Sequence, residues 1–203
     1  MKTDFASRLT KLGTETAFAV SNDAAEFAAE GNKVYPFHLG DINIPTPGNI
    51  MEATNRALRE GKTGYNPSVG IPQLRDAIAE IIGFERGISL TRENVVVQPG
   101  GKPVISKFIQ ALMNPGDGVL YPNPGYPIYE SQIKFHGGIP LPYGYLPKPN
   151  GLSIDRDRVE EMIDSNTRIL IYNNYQNPMG GESDRDEMEW VANLAQRHDL
   201  WVL

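Results

Sequence analysis

The chain has 203 residues, 40% hydrophobic and 22% charged, the make-up of a globular protein with material for one substantial core. A formal net charge of -6 argues against non-specific nucleic-acid binding, which needs basic surface to neutralise phosphates. The absence of cysteine excludes disulfides, thiolate catalysis and cysteine-ligated metals for these residues, and fits a cytosolic home. Met1–Phe5 carries acid early and lacks the apolar centre of a signal peptide, and no run approaches the roughly 18 apolar residues of a membrane span. The expectation is a soluble, cytoplasmic protein.

In chain order, the first ninety residues are dominated by helices. Ala24–Glu30 reads as a short helix, with Asn22 or Asp23 as its cap and Gly31 as its stop. Ile42–Gly48, rich in proline and glycine, reads as an extended arm. Ile50–Glu60 is a second helix, stopped by Gly61, and Pro72–Phe84 a third, with Pro72 at the first helical position. Leu74, Ile78, Ile81 and Ile82 form the expected buried stripe of that third helix. From Thr91 onward, short apolar runs alternate with helical segments. The runs Val95–Val97, Val119–Tyr121, Ile169–Tyr172 and Trp201–Leu203 are β-branched and aromatic, as strands buried on both faces are. Between them lie helices predicted at Lys102–Met113, Pro127–Phe135, Arg156–Asp164 and Asp184–Arg197, the last with Met188, Val191, Ala192 and Ala195 on one side. This alternation implies βαβ units, a mostly parallel sheet and a three-layer α/β/α domain. Leu200–Leu203 has the composition of a central strand, so the chain is expected to be a piece that breaks off inside a sheet.

Open parallel sheets bind ligands beyond the carboxyl ends of their strands. Three stretches fall there. Gln98-Pro99-Gly100-Gly101-Lys102 combines two permissive glycines with a helix start whose N–H groups favour a phosphate, although a Gly-Gly pair is more often just a turn. It lacks the spacing and hydroxyl of a Walker A loop. Tyr121–Tyr129 contains three prolines that stiffen a turn and hold Tyr126 where its ring could stack on a flat ligand; a rigid connector with core tyrosines is the plain alternative. Tyr172–Gly181 is an amide-rich loop that gathers donors at one point, or an ordinary Asx-type turn. His38, His136 and His198 have no metal or triad spacing, and no metal site is expected.

Taken together, these stretches resemble the class I/II aminotransferases of fold type I, which use pyridoxal phosphate. Asn177-Pro178-Met179-Gly180 is similar to that family's Asn-Pro-Thr-Gly loop, with methionine for threonine. Gly64–Arg75 resembles its Tyr-x-Pro-x-x-Gly-x-x-x-Leu-Arg signature, and Leu39–Pro47 its Gly-(Glu/Asp)-Pro-x-x-x-Thr-Pro arm. Asn114-Pro115-Gly116-Asp117 followed by Tyr121-Pro122 matches the stretch between the phosphate loop and the aromatic turn. The resemblance runs from about Ser21 to the last residue. It implies an incomplete large domain of that fold: an N-terminal arm and small-domain segment over 1–48, then a partial cofactor-binding domain over 49–203.

The same resemblance implies site roles. Gly100, Gly101 and Lys102 would hold the cofactor phosphate, Tyr126 would stack on the pyridine ring, and Asn177 would donate to its phenolic oxygen. Tyr65 would reach the phosphate of a neighbouring subunit's cofactor, which implies a homodimer; Gly40, with Asn177, would lie against the substrate. Lys102-Pro103 departs from the family's small or hydroxyl residues, and Pro103 removes one donor. The imine lysine, the carboxylate partner of the ring nitrogen and the substrate-binding arginine are expected beyond Leu203, so none of these residues is catalytic and the 203-residue chain alone is expected to be inactive. Lys102 sits in the phosphate loop, at the wrong end of the cofactor to form the imine. Val95–Val97 would pair with a strand that also lies beyond Leu203. The implied activity is transfer of an amino group between an amino acid and a 2-oxo acid. The alternatives are another fold type I reaction (a lyase, synthase or decarboxylase), a non-catalytic pyridoxal-phosphate-binding remnant, or a nucleotide-binding α/β domain.

Overall fold

A computed structural model describes residues 4–13, 16–37, 40, 44–149 and 151–203. His38 and the arm residues Leu39, Asp41, Ile42 and Asn43 lie outside the described residues. The chain divides into two units, 17–100 and 1–16 with 101–203.

The first unit holds α1 (Thr16–Ala29), α2 (Gly48–Arg59) and α3 (Pro72–Arg86). Helix α1 begins well before the predicted start, so Asn22 and Asp23 lie inside it; Gly31, at φ 89, ends it as expected. Pro72 occupies the first turn of α3, and Gly87 closes it in the left-handed conformation. The predicted stripe of α3 is not its buried face. Leu74, Ile81 and Ile82 are exposed, and the buried positions are Arg75, Ala79 and Gly83. The reason lies in how closely the chain passes: a Cβ on Gly83 would stand 2.9 Å from the Ile88 carbonyl oxygen, so only small residues fit. Arg75 donates through Nε to the Val95 carbonyl at 2.8 Å and through Nη2 to that of Arg92. Val95–Val97 is extended, as its valines suggest, but it is no ladder strand among the described residues. Its backbone bonds are local or single: Val95 N–H donates to Arg92 O at 3.1 Å and Val97 N–H to Val69 O at 3.0 Å, and Val96 is 58% exposed.

The second unit carries the sheet. Strands β1 (Gly118–Pro122), β2 (Ile139–Tyr143), β5 (Thr167–Leu170) and β6 (Trp201–Val202) run parallel in the order β2-β1-β5-β6. A separate antiparallel pair is formed by β3 (Tyr145–Lys148) and β4 (Gly151–Ile154). Helices α4 (Gly101–Leu112), α5 (Ile128–Phe135), α6 (Arg156–Met162) and α7 (Arg185–His198) complete it. Alternation along the strands builds two cores. Val119, Tyr121, Ile169 and Ile171 face Ile109 and Met113, at and just past the end of α4, and Tyr129 and Ile133 of α5. Leu120 and Leu170 face Val159 of α6 and Val191 and Leu194 of α7. Helices therefore cover both faces of a parallel sheet, the three-layer α/β arrangement expected from the alternation.

Strand β2 escapes a reading by composition because Pro140 and Pro142 look like breakers; it lies at the sheet edge, where a missing N–H is tolerated. On α7 the buried residues are Glu187, Val191 and Leu194; of the predicted set, Val191 is buried and Ala195 packs partly buried against the core, whereas Met188 and Ala192 are exposed. Strand β6 is the last strand of the sheet in the described order, with Trp201 half exposed. The N-terminal turn Ser7–Lys11 lies on α5: Gly13 N–H donates to Ser131 Oγ at 3.0 Å, and the Arg8 guanidinium sits 5.4 Å from the centre of the Phe135 ring.

Candidate active site

Adjacent parallel strands deliver their loops to one end of the sheet. The chain leaves β1 through Pro122-Asn123-Pro124-Gly125-Tyr126, and leaves β5 through Ile171 into Tyr172–Ser183. Arg168, near the start of β5, donates to the Leu112 carbonyl at the end of α4. Helix α4 thus runs against the strands, and its start, Gly101 and Lys102, faces the same carboxyl end of the sheet as the two loops. The first four N–H groups of a helix have no acceptor within it. In α4 these include Gly101, Lys102 and Val104, while Pro103 offers none.

The aromatic turn is tightly specified. A Cβ on Gly125 would fall 2.0 Å from the Pro122 carbonyl oxygen, so this position accepts only glycine without rearrangement. Tyr126 is half-buried, its ring edge-on to Tyr129 with centroids 5.8 Å apart. Burial, with Glu130 close by, pushes the Tyr121 hydroxyl up to about 12, and burial does the same for Tyr145. These hydroxyls are neutral at physiological pH and act as hydrogen-bonding groups rather than bases.

The amide-rich loop is held largely by its own side chains. Asn173 Oδ1 accepts from Asn177 N–H and Asn174 Oδ1 from Ser183 N–H, each at 3.1 Å. Gln176 N–H donates to the Gly181 carbonyl at 2.8 Å, and Gly180 turns back at φ 68. Asn177 is left exposed at the loop surface. Beneath the loop, Glu187 is completely buried and accepts from Ser153, Ile154 and Ser183. In the sequence this carboxylate is inconspicuous, because acidic residues in a first helical turn normally face water. The only available signal was phase: Glu187, Val191 and Leu194 recur at helical spacing.

Of the sequence-selected residues, Gly101, Lys102, Tyr126 and Asn177 thus share one end of the sheet. Gly100, at φ 98, Tyr65, fully exposed, and Gly40 belong to the other unit. His136 is half-buried, 3.5 Å from Ser106 Oγ, its ring held below its ordinary value by burial; His198 is exposed at the end of α7. Among the described residues no cluster of three or more His, Asp or Glu could hold a metal, and no helix is long and apolar enough to cross a membrane.

A parallel α/β sheet with a helix start, an aromatic turn and an amide loop at its carboxyl end is the frame of the aspartate aminotransferase fold. Solved structures agree: aspartate aminotransferase from Thermus thermophilus with maleate matches with a TM-score of 0.92 and 33% identity, covering 100% of this chain and 52% of that one. Alanine aminotransferase from Pyrococcus furiosus matches with a TM-score of 0.91 and 29% identity, over 98% and 51%. Among curated proteins, the aspartate/prephenate aminotransferase of Thermus thermophilus is 34% identical over 196 residues, which is 97% of this chain and 51% of that protein. The family model for aminotransferase class I and II matches residues 33–203, and the chain belongs to that family. It spans about half the length of the curated relatives it matches.

Proposed function

We propose that the complete protein is a cytoplasmic homodimeric aminotransferase that moves an amino group between an amino acid and a 2-oxo acid, and that these 203 residues form part of its cofactor-binding body. The observation carrying this reading is the meeting of the α4 start, the Tyr126 turn and the Asn177 loop at one end of a parallel sheet. Pyridoxal phosphate, when bound, supplies the electron sink for the reaction. The groups present fit it. The N–H groups of Gly101 and Lys102 suit a phosphate at a helix start, helped by the Lys102 charge. Tyr126 offers an aromatic face and Asn177 an exposed amide donor. Gly100 gives the backbone turn into the helix. Gly40, with Asn177, is assigned to the substrate, and the exposed Tyr65 to a neighbouring subunit's cofactor. In the domain terms of this reading, 1–48 is arm and small-domain segment and 49–203 belongs to the large domain.

The lysine that attaches the cofactor is assigned outside these residues. Lys62, Lys134 and Lys148 are engaged with Glu60, Glu130 and Asp184, and Lys102 belongs to the phosphate end. Equilibrium dialysis of the 203-residue chain against pyridoxal phosphate and against pyridoxal tests the binding assignment. The expected result is saturable binding of one pyridoxal phosphate, at least about tenfold weaker without the phosphate or in Asn177→Ala. No saturable binding, or equal affinity for the two ligands, would contradict it.

A further inference from the structure

Glu187 stands in the buried stripe of α7, in line with Val191 and Leu194 of one core, where a hydrophobic side chain would fill the same space. It is 0% exposed. A buried carboxylate is costly unless donors replace its lost water, and here three do. Oε2 accepts from Ser153 Oγ at 2.6 Å and from Ile154 N–H at 2.8 Å, and Oε1 accepts from Ser183 Oγ at 2.5 Å. Its place in the first turn of α7 further favours negative charge. Packing alone calls for none of this, so the charge has another task.

We propose that Glu187 is a positioning residue that fixes the loop from Asn173 to Ser183, and with it Asn177, by holding Ser183. Two of its contacts bind the carboxylate to β4, outside the loop, which makes it a fixed anchor. The third grips the Ser183 hydroxyl. Ser183 then has its N–H free for Asn174 Oδ1, and the neighbouring Asn173 Oδ1 takes the N–H of Asn177. The grip on Ser183 therefore fixes the Asn174 side chain and, through its neighbour Asn173, the backbone from which Asn177 projects. The functional meaning of this arrangement rests on the reading of Asn177 as a cofactor contact; the positioning does not.

Amide hydrogen exchange of the 203-residue chain, compared among wild type, Glu187→Gln, Ser183→Ala and the double variant, tests it. Each single variant is expected to speed exchange over 174–183 on the order of tenfold while β1 and α4 stay unchanged. The double variant is expected to add nothing, because both changes break one link. Ser183→Ala leaves Glu187 its two donors on β4, so it carries the test even where Glu187→Gln fails to fold. Unchanged exchange over 174–183 in Ser183→Ala, or exchange rising in step throughout 101–203, would overturn the proposal. Loosening confined to the loop, in a chain that binds no pyridoxal phosphate, upholds the positioning and overturns the cofactor reading instead.

Discussion

The hydroxyl of Tyr143, at the end of edge strand β2, donates to the carbonyl of Ile171, just past β5, at 2.8 Å. The bond spans the intervening strand β1 and ties the edge of the sheet to the root of the amide-rich loop, entirely out of contact with water. Tyr143→Phe keeps the ring but strands a buried carbonyl. A loss of about 1–2 kcal/mol in urea unfolding is expected, against almost nothing if water replaces the bond.

Alkali should probe the same region. Tyr121 and Tyr145 are pushed up to about 12 by burial, with Glu130 adding to the effect at Tyr121. An unfolded tyrosine ionises near 10. Between these values the native chain binds more protons than the unfolded one, so stability falls as pH rises. Stability from these groups is thus complete below about pH 10 and is lost as pH climbs toward 12. Thermal melts from pH 9 to 12, followed with tyrosinate absorbance, should show this fall, steeper than in a Tyr121→Phe, Tyr145→Phe double variant.

Two glycines give a contrasting pair. An added Cβ at Gly125 meets the Pro122 carbonyl oxygen at 2.0 Å, a backbone atom that cannot step aside. At Gly138 it meets the flexible end of Met113, the sulfur, at 2.4 Å. Gly125→Ala should cost about 2 kcal/mol or more and weaken pyridoxal phosphate binding, whereas Gly138→Ala should cost less and leave binding unchanged. Chemical denaturation and dialysis of the two variants read both effects.

Arg75 holds the 17–100 unit together through two backbone carbonyls, those of Val95 and Arg92. Arg75→Met fills the space but leaves the Val95 carbonyl unsatisfied, while that of Arg92 keeps only the Val95 N–H. A destabilisation of about 2–4 kcal/mol is expected, visible as early proteolysis within 17–100 while 101–203 remains resistant. Protection equal in the two regions would show that Arg75 matters less than its burial suggests.

Most of this architecture is legible in the residues, and the exceptions share a cause. Helix limits follow from Pro72 and Gly31, which act locally. What resisted reading depends on neighbours far along the chain. Pro140 and Pro142 look like breakers until β2 is known to be an edge. The α3 face was misassigned because close backbone approach selects Ala79 and Gly83 over the bulkier isoleucines. Three valines at 95–97 signal a strand, but a ladder needs a partner, and Val97 finds only Val69. Gly101, Lys102, Tyr126 and Asn177 were legible as members of turns at strand ends, their roles coming only from the family resemblance. Glu187 was not, since its donors on β4 lie more than thirty residues upstream.

Under the proposed function these residues cradle pyridoxal phosphate while the lysine that attaches it lies elsewhere in the protein. The most direct test is borohydride reduction of the 203-residue chain saturated with pyridoxal phosphate, followed by peptide mass mapping. No single lysine is expected to gain the cofactor mass in stoichiometric amount. Stoichiometric labelling of one lysine, Lys102 above all, would contradict this assignment.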